Sequence, residues 1–151
     1  MLDLNPKKYR ILLGSQSPRR KMLLQELGYE FEQISLNADE SFPKDMDVDK
    51  VAEYLSLKKA GVYPAELGSQ DLLITSDTTV CLKNSILGKA NNAAEAKHML
   101  QMLSGTTHAV ITGVCLRSRD KTQSFSVSTE VKMKALSSAE IDYYIANFQP
   151  F

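Results

Sequence analysis

Gly14-Ser15-Gln16-Ser17-Pro18-Arg19-Arg20 joins an apolar run of strand length, residues 9–13, to a helical pattern that ends at Gly28. Ser17 is a suitable N-cap, and Pro18 suits the first helical position because the N–H that it lacks would be unpaired there. Arg19 and Arg20 then fall in the first turn, at the positive end of the helix dipole. Cations are unfavourable there unless an anion accompanies them. This strand–loop–helix junction therefore predicts a phosphate-binding site, in preference to two solvated arginines.

Length and composition predict one globular domain over residues 1–151 with a substantial core. Eighteen basic and eighteen acidic residues leave no net charge, so nothing indicates a nucleic-acid surface, and any basic site must be local. Cys81 and Cys115 belong to no CxxC pair, which favours reduced thiols. With no apolar run long enough for a signal peptide or a membrane span, we expect a soluble, cytoplasmic protein.

Two features of the next part of the chain become informative only together. The acidic pair Asp39-Glu40 is, taken alone, typical of a solvated loop. Residues 47–62 have the apolar spacing of a helix, and its phase puts Lys59 near the centre of the apolar stripe and Lys58 at its edge. A lysine so placed either meets an anion or extends its ammonium past the helix end, and position alone leaves both possibilities open.

An aspartate follows the most apolar strand pattern of the chain. Residues 72–76 predict a buried strand that runs into Asp77-Thr78, and α/β proteins bind ligands beyond strand ends. A predicted hairpin, 80–87, then leads to Gly88-Lys89, a flexible backbone followed by a cation. A lone Gly-Lys is weak evidence, since the rest of a P-loop is missing.

The remaining patterns complete a mixed α/β set of elements. Helices are predicted over 93–103, capped by Asn92, and from the capping box that begins at Ser137. Two strands are predicted between them, 107–116 and 122–133. The elements together predict an α/β fold with a mixed, twisted β-sheet and helices packed around it.

In order and spacing, these motifs resemble the Maf family of nucleoside triphosphate pyrophosphatases over essentially the whole chain. The motifs that carry the resemblance are Ser15-Gln16-Ser17-Pro18-Arg19-Arg20, Asp39-Glu40, Lys59-Ala60, Ser76-Asp77-Thr78-Thr79-Val80, Ile86-Leu87-Gly88-Lys89, Leu103-Ser104-Gly105-Thr106-Thr107-His108 and Thr112-Gly113. The resemblance implies a central nucleotide-binding cleft, where residues 15–20, Lys59, Asp77 and Lys89 converge. It also implies hydrolysis of a nucleoside triphosphate to the monophosphate and pyrophosphate with a divalent cation, Mg²⁺ or Mn²⁺.

The resemblance also implies a role for each site residue. Asp77 is the expected general base, and Glu40 and Asp77 are the expected metal-supporting carboxylates. Lys59 is expected to act beside them, pointing at phosphate. The substrate-binding residues would be Ser15, Arg19, Arg20, Thr78 and Lys89. Clamping by cations is the main catalytic resource in phosphoryl chemistry, which agrees with this set.

The details of the match point to one branch of the family and include two departures. Asp77-Thr78 with the Leu-Ser-Gly-x-Thr-His segment resembles the branch that acts on dTTP and UTP, whereas the branch preferring methylated GTP tends to have Asp-Gln. Ala90 stands where the family usually has proline. The family pattern continues beyond the position of Phe151 into a segment with an active-site glutamine, so we expect a C-terminally truncated form.

Two other functions stay open on the sequence. One is a non-catalytic nucleotide-binding regulator of cell division, of the septum formation inhibitor type. The other is a nucleic-acid-binding protein, which the zero net charge disfavours. The expected partners are a nucleoside triphosphate and, as in many members of the family, a second copy in a homodimer, with no membrane.

Overall fold

The structure is a computed structural model that describes residues 8–150. Its strands are β1 (Arg10–Gly14), β2 (Phe31–Ile34), β3 (Asp71–Leu82), β4 (Ser85–Leu87), β5 (Thr107–Arg117) and β6 (Thr122–Lys132). Its helices are α1 (Pro18–Glu26), α2 (Val51–Gly61), α3 (Ala93–Leu103) and α4 (Ser138–Phe148), and a short 3₁₀ turn over Val48–Lys50 precedes α2. Residues 1–7 and 151, which the predicted domain over 1–151 includes, lie outside this range.

The strands form one mixed sheet in the order β2-β1-β3-β5-β6, with β4 paired to β3. β1 runs parallel to β2 and to β3, whereas β3 and β4 form an antiparallel hairpin in which Val80 opposes Leu87. The predicted α/β class with a mixed sheet and surrounding helices is therefore confirmed. Among the helices of the described range, 8–150, no segment is both long and apolar enough to cross a bilayer.

The residues group into two compact units. Within the described residues, the first unit contains 8–77 together with Thr112–Val127, and the second contains Thr78–Ile111 together with 128–150. Strands β3, β5 and β6 each contribute residues to both. The prediction of one domain over 1–151 stays a prediction.

The core of the first unit fixes helix α2 against the sheet. Leu12, Leu73 and Cys115 come from three neighbouring strands and pack with Ala60 of α2 and Leu67. The approach is close: a Cβ at Gly113 would lie 2.3 Å from the backbone of Ala52, so only glycine fits on β5 there. Lys59, near the end of α2, is thereby held beside strand β3.

One sequence expectation about the elements was wrong. The strand predicted over 72–76 does not end at Asp77 but continues to Leu82, because β-branched residues follow it and residues 80–82 pair with β4. The helical pattern predicted before Gly28 is present as α1, in which Leu24 is half-buried, whereas Leu23 and the C-cap residue Leu27 are exposed.

Candidate active site

The loop between β1 and α1 begins as its sequence predicts. The Ser17 hydroxyl accepts a hydrogen bond from the Arg20 backbone N–H at 3.3 Å, and Pro18 occupies the first helical position. The Ser17 N–H donates to the Ser15 hydroxyl at 3.2 Å, which is the second bond of the loop. The loop is also tied to the sheet, because the Gln33 side-chain amide of β2 donates to the Ser15 carbonyl at 2.7 Å.

Strand β3 continues past the end of its parallel neighbour β1, whose pairing stops where Leu13 opposes Ile74. Beyond that point the Ser76 carbonyl accepts hydrogen bonds from two cationic side chains, Arg20 Nη1 at 3.0 Å and Lys59 Nζ at 3.3 Å. Arg20, from the start of α1, and Lys59, from α2, are therefore both bound to one carbonyl on β3. Sequence reasoning missed it, because a backbone oxygen has no signature in side-chain patterns.

The carboxylates and Lys59 form one charged group. Lys59 Nζ donates to Asp77 Oδ1 at 2.7 Å and lies 3.9 Å from Glu40 Oε1. The side chains of Asp77 and Lys59 are 12% and 17% exposed, whereas that of Glu40 is 65% exposed. Of the two readings of Lys59 that position left open, the structure shows the one in which it meets an anion, and that anion is Asp77. Glu40 approaches from the solvent side of the pair.

The other predicted site residues are placed as follows. Arg19 lies in the first turn of α1 and is exposed. Thr78 follows Asp77 on β3 and is also exposed. Lys89 belongs to the second unit, where it lines a surface cavity of about 480 Å³ with Met99 and Tyr144. Its convergence with Asp77 stays a prediction. The residue that replaces the family's proline, Ala90, is buried.

The carboxylates of the site suit a small divalent cation whose remaining ligands are water and phosphate oxygens. Mg²⁺ is usually held by one or two carboxylates together with substrate phosphates and water, and Asp77 and Glu40 supply two carboxylates that both contact Lys59. Within residues 8–150, no group of three or more His, Cys, Asp or Glu side chains could form a protein-only metal site. The residues therefore fit a cation shared with a phosphate ligand.

Fold and site define an α/β protein with a cationic strand–loop–helix junction beside a carboxylate–lysine group. A family model described as Maf-like protein matches residues 10–151. The dTTP/UTP pyrophosphatase of Porphyromonas gingivalis is 48% identical over 154 residues, covering 100% of this chain and 77% of that protein. That of Phocaeicola vulgatus is 43% identical over 147 residues, covering 97% and 76%. The chain therefore belongs to the Maf family, as its motifs predicted.

Solved structures add a likeness of fold. The Staphylococcus aureus Ham1 protein superposes with a TM-score of 0.57 at 13% identity, covering 82% of this chain and 71% of that one. At so low an identity the likeness concerns only the arrangement of strands and helices. It agrees with the mixed sheet described above.

Proposed function

We propose that this enzyme, a nucleoside triphosphate pyrophosphatase, hydrolyses dTTP and UTP to the monophosphate and pyrophosphate with the help of a divalent cation. The observation that carries the proposal is the group formed by Asp77, Lys59 and Glu40, beside the Ser76 carbonyl that also holds Arg20. The names of the Porphyromonas gingivalis and Phocaeicola vulgatus relatives support the choice of substrates. A cytoplasmic location goes with this proposal.

Asp77 is the residue best suited to take the proton from the attacking water. Its carboxylate is held in a fixed position by the 2.7 Å bond from Lys59 and by the rigid strand β3. A base that is positioned before the substrate arrives does not have to be ordered during the reaction. The water would attack the α-phosphorus, its proton would pass to Asp77, and the bond to the bridging oxygen would break to release pyrophosphate.

The cations of the site would hold the negative charge that cleavage places on the departing pyrophosphate. Arg20 has a defined position through its bonds to the Ser76 carbonyl and, at 3.4 Å, to the Ser15 hydroxyl. Arg19, Thr78 and Lys89 are exposed, and we propose that they contact the substrate directly. Preorganised cations aimed at developing charge are usually the largest contribution to catalysis of this kind.

A divalent cation, Mg²⁺ or Mn²⁺, would be held by Asp77 and Glu40 and would neutralise phosphate charge. The ammonium of Lys59 contacts both carboxylates and offsets their repulsion. We propose that Lys59 also donates a hydrogen bond to a phosphate oxygen when nucleotide is present.

The test is a pyrophosphate-release screen over the standard nucleoside triphosphates and 7-methyl-GTP, with Mg²⁺, Mn²⁺ or EDTA. We expect release from dTTP and UTP in particular, and its loss in EDTA. Tight nucleotide binding without release would contradict the proposal and favour the nucleotide-binding regulator. Release in EDTA at the same rate would contradict the metal dependence alone.

A further inference from the structure

Lys58, the neighbour of Lys59 on α2, is fully engaged with the acidic loop that precedes this helix. Its Nζ donates to the Ser41 carbonyl at 2.8 Å, and to Asp39 Oδ2 and the Ser41 hydroxyl at 3.2 Å each. An ammonium has three N–H donors, so each donor has an acceptor in this loop. The helical phase, which puts Lys58 at the edge of the apolar stripe, had suggested that this side chain contributes little to the site.

The loop that receives Lys58 is closed by bonds of its own. The Ser41 backbone N–H donates to Asp39 Oδ1 at 3.0 Å, and the Ser41 hydroxyl donates to Asp39 Oδ2. The bonds from the Ser41 hydroxyl and backbone, followed by that from Lys58, lower the pKa of Asp39 to about 2. Residues 39 and 41 are thus both fixed to one ammonium, and the residue between them is Glu40.

Glu40 is also the least supported member of the charged group at Asp77. Its side chain is 65% exposed, and its contact with Lys59 spans 3.9 Å. Such a pair contributes little by itself to the position of the Glu40 side chain, because its carboxylate is well solvated and the contact is long. The position of Glu40 must therefore depend on how its backbone is held.

We propose that Lys58 is a positioning residue: by fixing residues 39 and 41 to helix α2, it holds Glu40 beside Lys59 and Asp77. The inference rests on the proposed function, in which Glu40 acts together with Asp77. Two successive lysines of one helix then have separate tasks, since a step of about 100° directs Lys58 to the loop and Lys59 to strand β3. Lys58 itself touches no reacting group.

This role predicts an effect on turnover rather than on stability. The side chain of Asp39 is 70% exposed, and ion pairs at such a surface contribute little to folding. Loosening the loop would leave the phosphate-binding start of α1 intact, so KM should change little. The probability that Glu40 is in place, and with it kcat, should fall.

The experiment compares Lys58→Met, Lys58→Arg and Lys50→Met in the full chain. Lys58→Met keeps the apolar stem, and Lys58→Arg keeps the charge and donors. Lys50→Met is the matched control, because Lys50 pairs with Asp47 at 3.9 Å on the surface, just before the same helix. Hydrogen exchange at the Ser41 amide reports the order of the loop, and kcat and KM are measured with UTP.

We expect faster exchange at Ser41 and a kcat lowered about two- to fivefold in Lys58→Met, with KM changed less than twofold. Lys58→Arg should restore most of both quantities, and Lys50→Met should match wild type. Unchanged exchange in Lys58→Met, or faster exchange with normal kcat, overturns the proposal. Wild type without turnover of any triphosphate overturns the proposed function instead, and exchange, which needs no substrate, then decides alone whether Lys58 anchors the loop.

Discussion

Helix α1 and helix α4 begin with the same device but differ in charge at one position. In each, a serine N-cap accepts a hydrogen bond from the backbone N–H three residues later. In α4 that third residue is Glu140, whose carboxylate accepts the Ser137 N–H at 2.9 Å and completes a capping box. In α1 it is Arg20, which turns away to the Ser76 carbonyl.

Helix α3 follows the acidic pattern of α4. Asn92 Oδ1 accepts the Glu95 N–H at 2.9 Å, and Glu95 accepts the Asn91 N–H at 2.8 Å. Helices α3 and α4 therefore supply their own negative charge at the N-terminus, which stabilises a helix, whereas α1 has no acid in its first turn. This difference supports the proposal that the α1 start receives an anion from outside, at a cost in local stability.

The largest effect is expected where the chemistry lies, at Asp77. Asp77→Asn preserves size but can neither accept a proton nor carry charge, so hydrolysis of UTP should fall about 10²–10⁴-fold. The melting temperature and nucleotide affinity should change little. Asp71→Asn is the control on the same strand, because Asp71 only pairs with Arg10 and caps the Gly68 N–H. Near-normal turnover in Asp77→Asn would remove it from the role of base.

The charge difference between the starts of α1 and α4 can be removed by Arg20→Glu, which gives α1 the serine and glutamate of a capping box. Helix α1 should be as stable as before or more so, since an acid replaces a cation near the positive end of the dipole. The value of kcat/KM should fall about 10–100-fold or more, because a charged hydrogen-bond donor is lost.

Lys21→Glu is the control for Arg20→Glu, since it makes the same change of charge at the next, exposed residue. Its effect on kcat/KM should be much the smaller of the two. Equal losses in both variants would mean that only the overall charge of the α1 start matters, and the specific role of Arg20 would be wrong.

Removal of the N-cap of α4 should affect stability without affecting activity. Ser137→Ala removes the cap hydrogen bond at 3.2 Å and should lower the free energy of unfolding by about 0.5–2 kcal/mol. Denaturant unfolding measures this, with Ser138→Ala as the control within the helix. A loss of kcat at temperatures where Ser137→Ala is fully folded would show that α4 takes part in the site.

The smallest effect concerns pH. The bond from Lys134, followed by that from the Ser137 N–H, holds the pKa of Glu140 below its ordinary value of 4.5. A carboxyl with a lowered folded-state pKa stabilises the protein above the unfolded value and loses that contribution as the pH falls below it. The stability gap between wild type and Glu140→Gln should therefore be full near pH 7 and shrink below pH 4.5. A gap that stays constant between pH 7 and 3 would contradict the capping role of its charge.

Local patterns predicted most of the fold because its elements begin at local signals. The caps at Ser17, Asn92 and Ser137 and the β3–β4 hairpin all depend on neighbouring residues, and all are present. The end of β3 was misjudged because a polar Asp77 looks like a strand end, although tertiary pairing with β4 extends the strand beyond it. The apolar spacing of α1 does not tell how far its leucines are covered, and Leu23 and Leu27 are exposed.

Sequence reasoning named candidate site residues but not the contacts between them. Motif resemblance named Asp77, Lys59 and Glu40, and the structure brings these three together. The Ser76 carbonyl and the three bonds of Lys58 have no sequence signature, since each depends on segments that only the fold brings together. Gln33, which holds the Ser15 carbonyl, could have been suspected only as a polar residue in a short strand.

The most direct test of the account is product analysis of UTP hydrolysis in ¹⁸O-labelled water. Attack of water at the α-phosphorus places the label in UMP and releases unlabelled pyrophosphate in equal amount. We expect this result for wild type with Mg²⁺, and the loss of both products in Asp77→Asn. Formation of UDP with labelled orthophosphate, or label in the pyrophosphate, would contradict the proposed cleavage between the α and β phosphorus atoms.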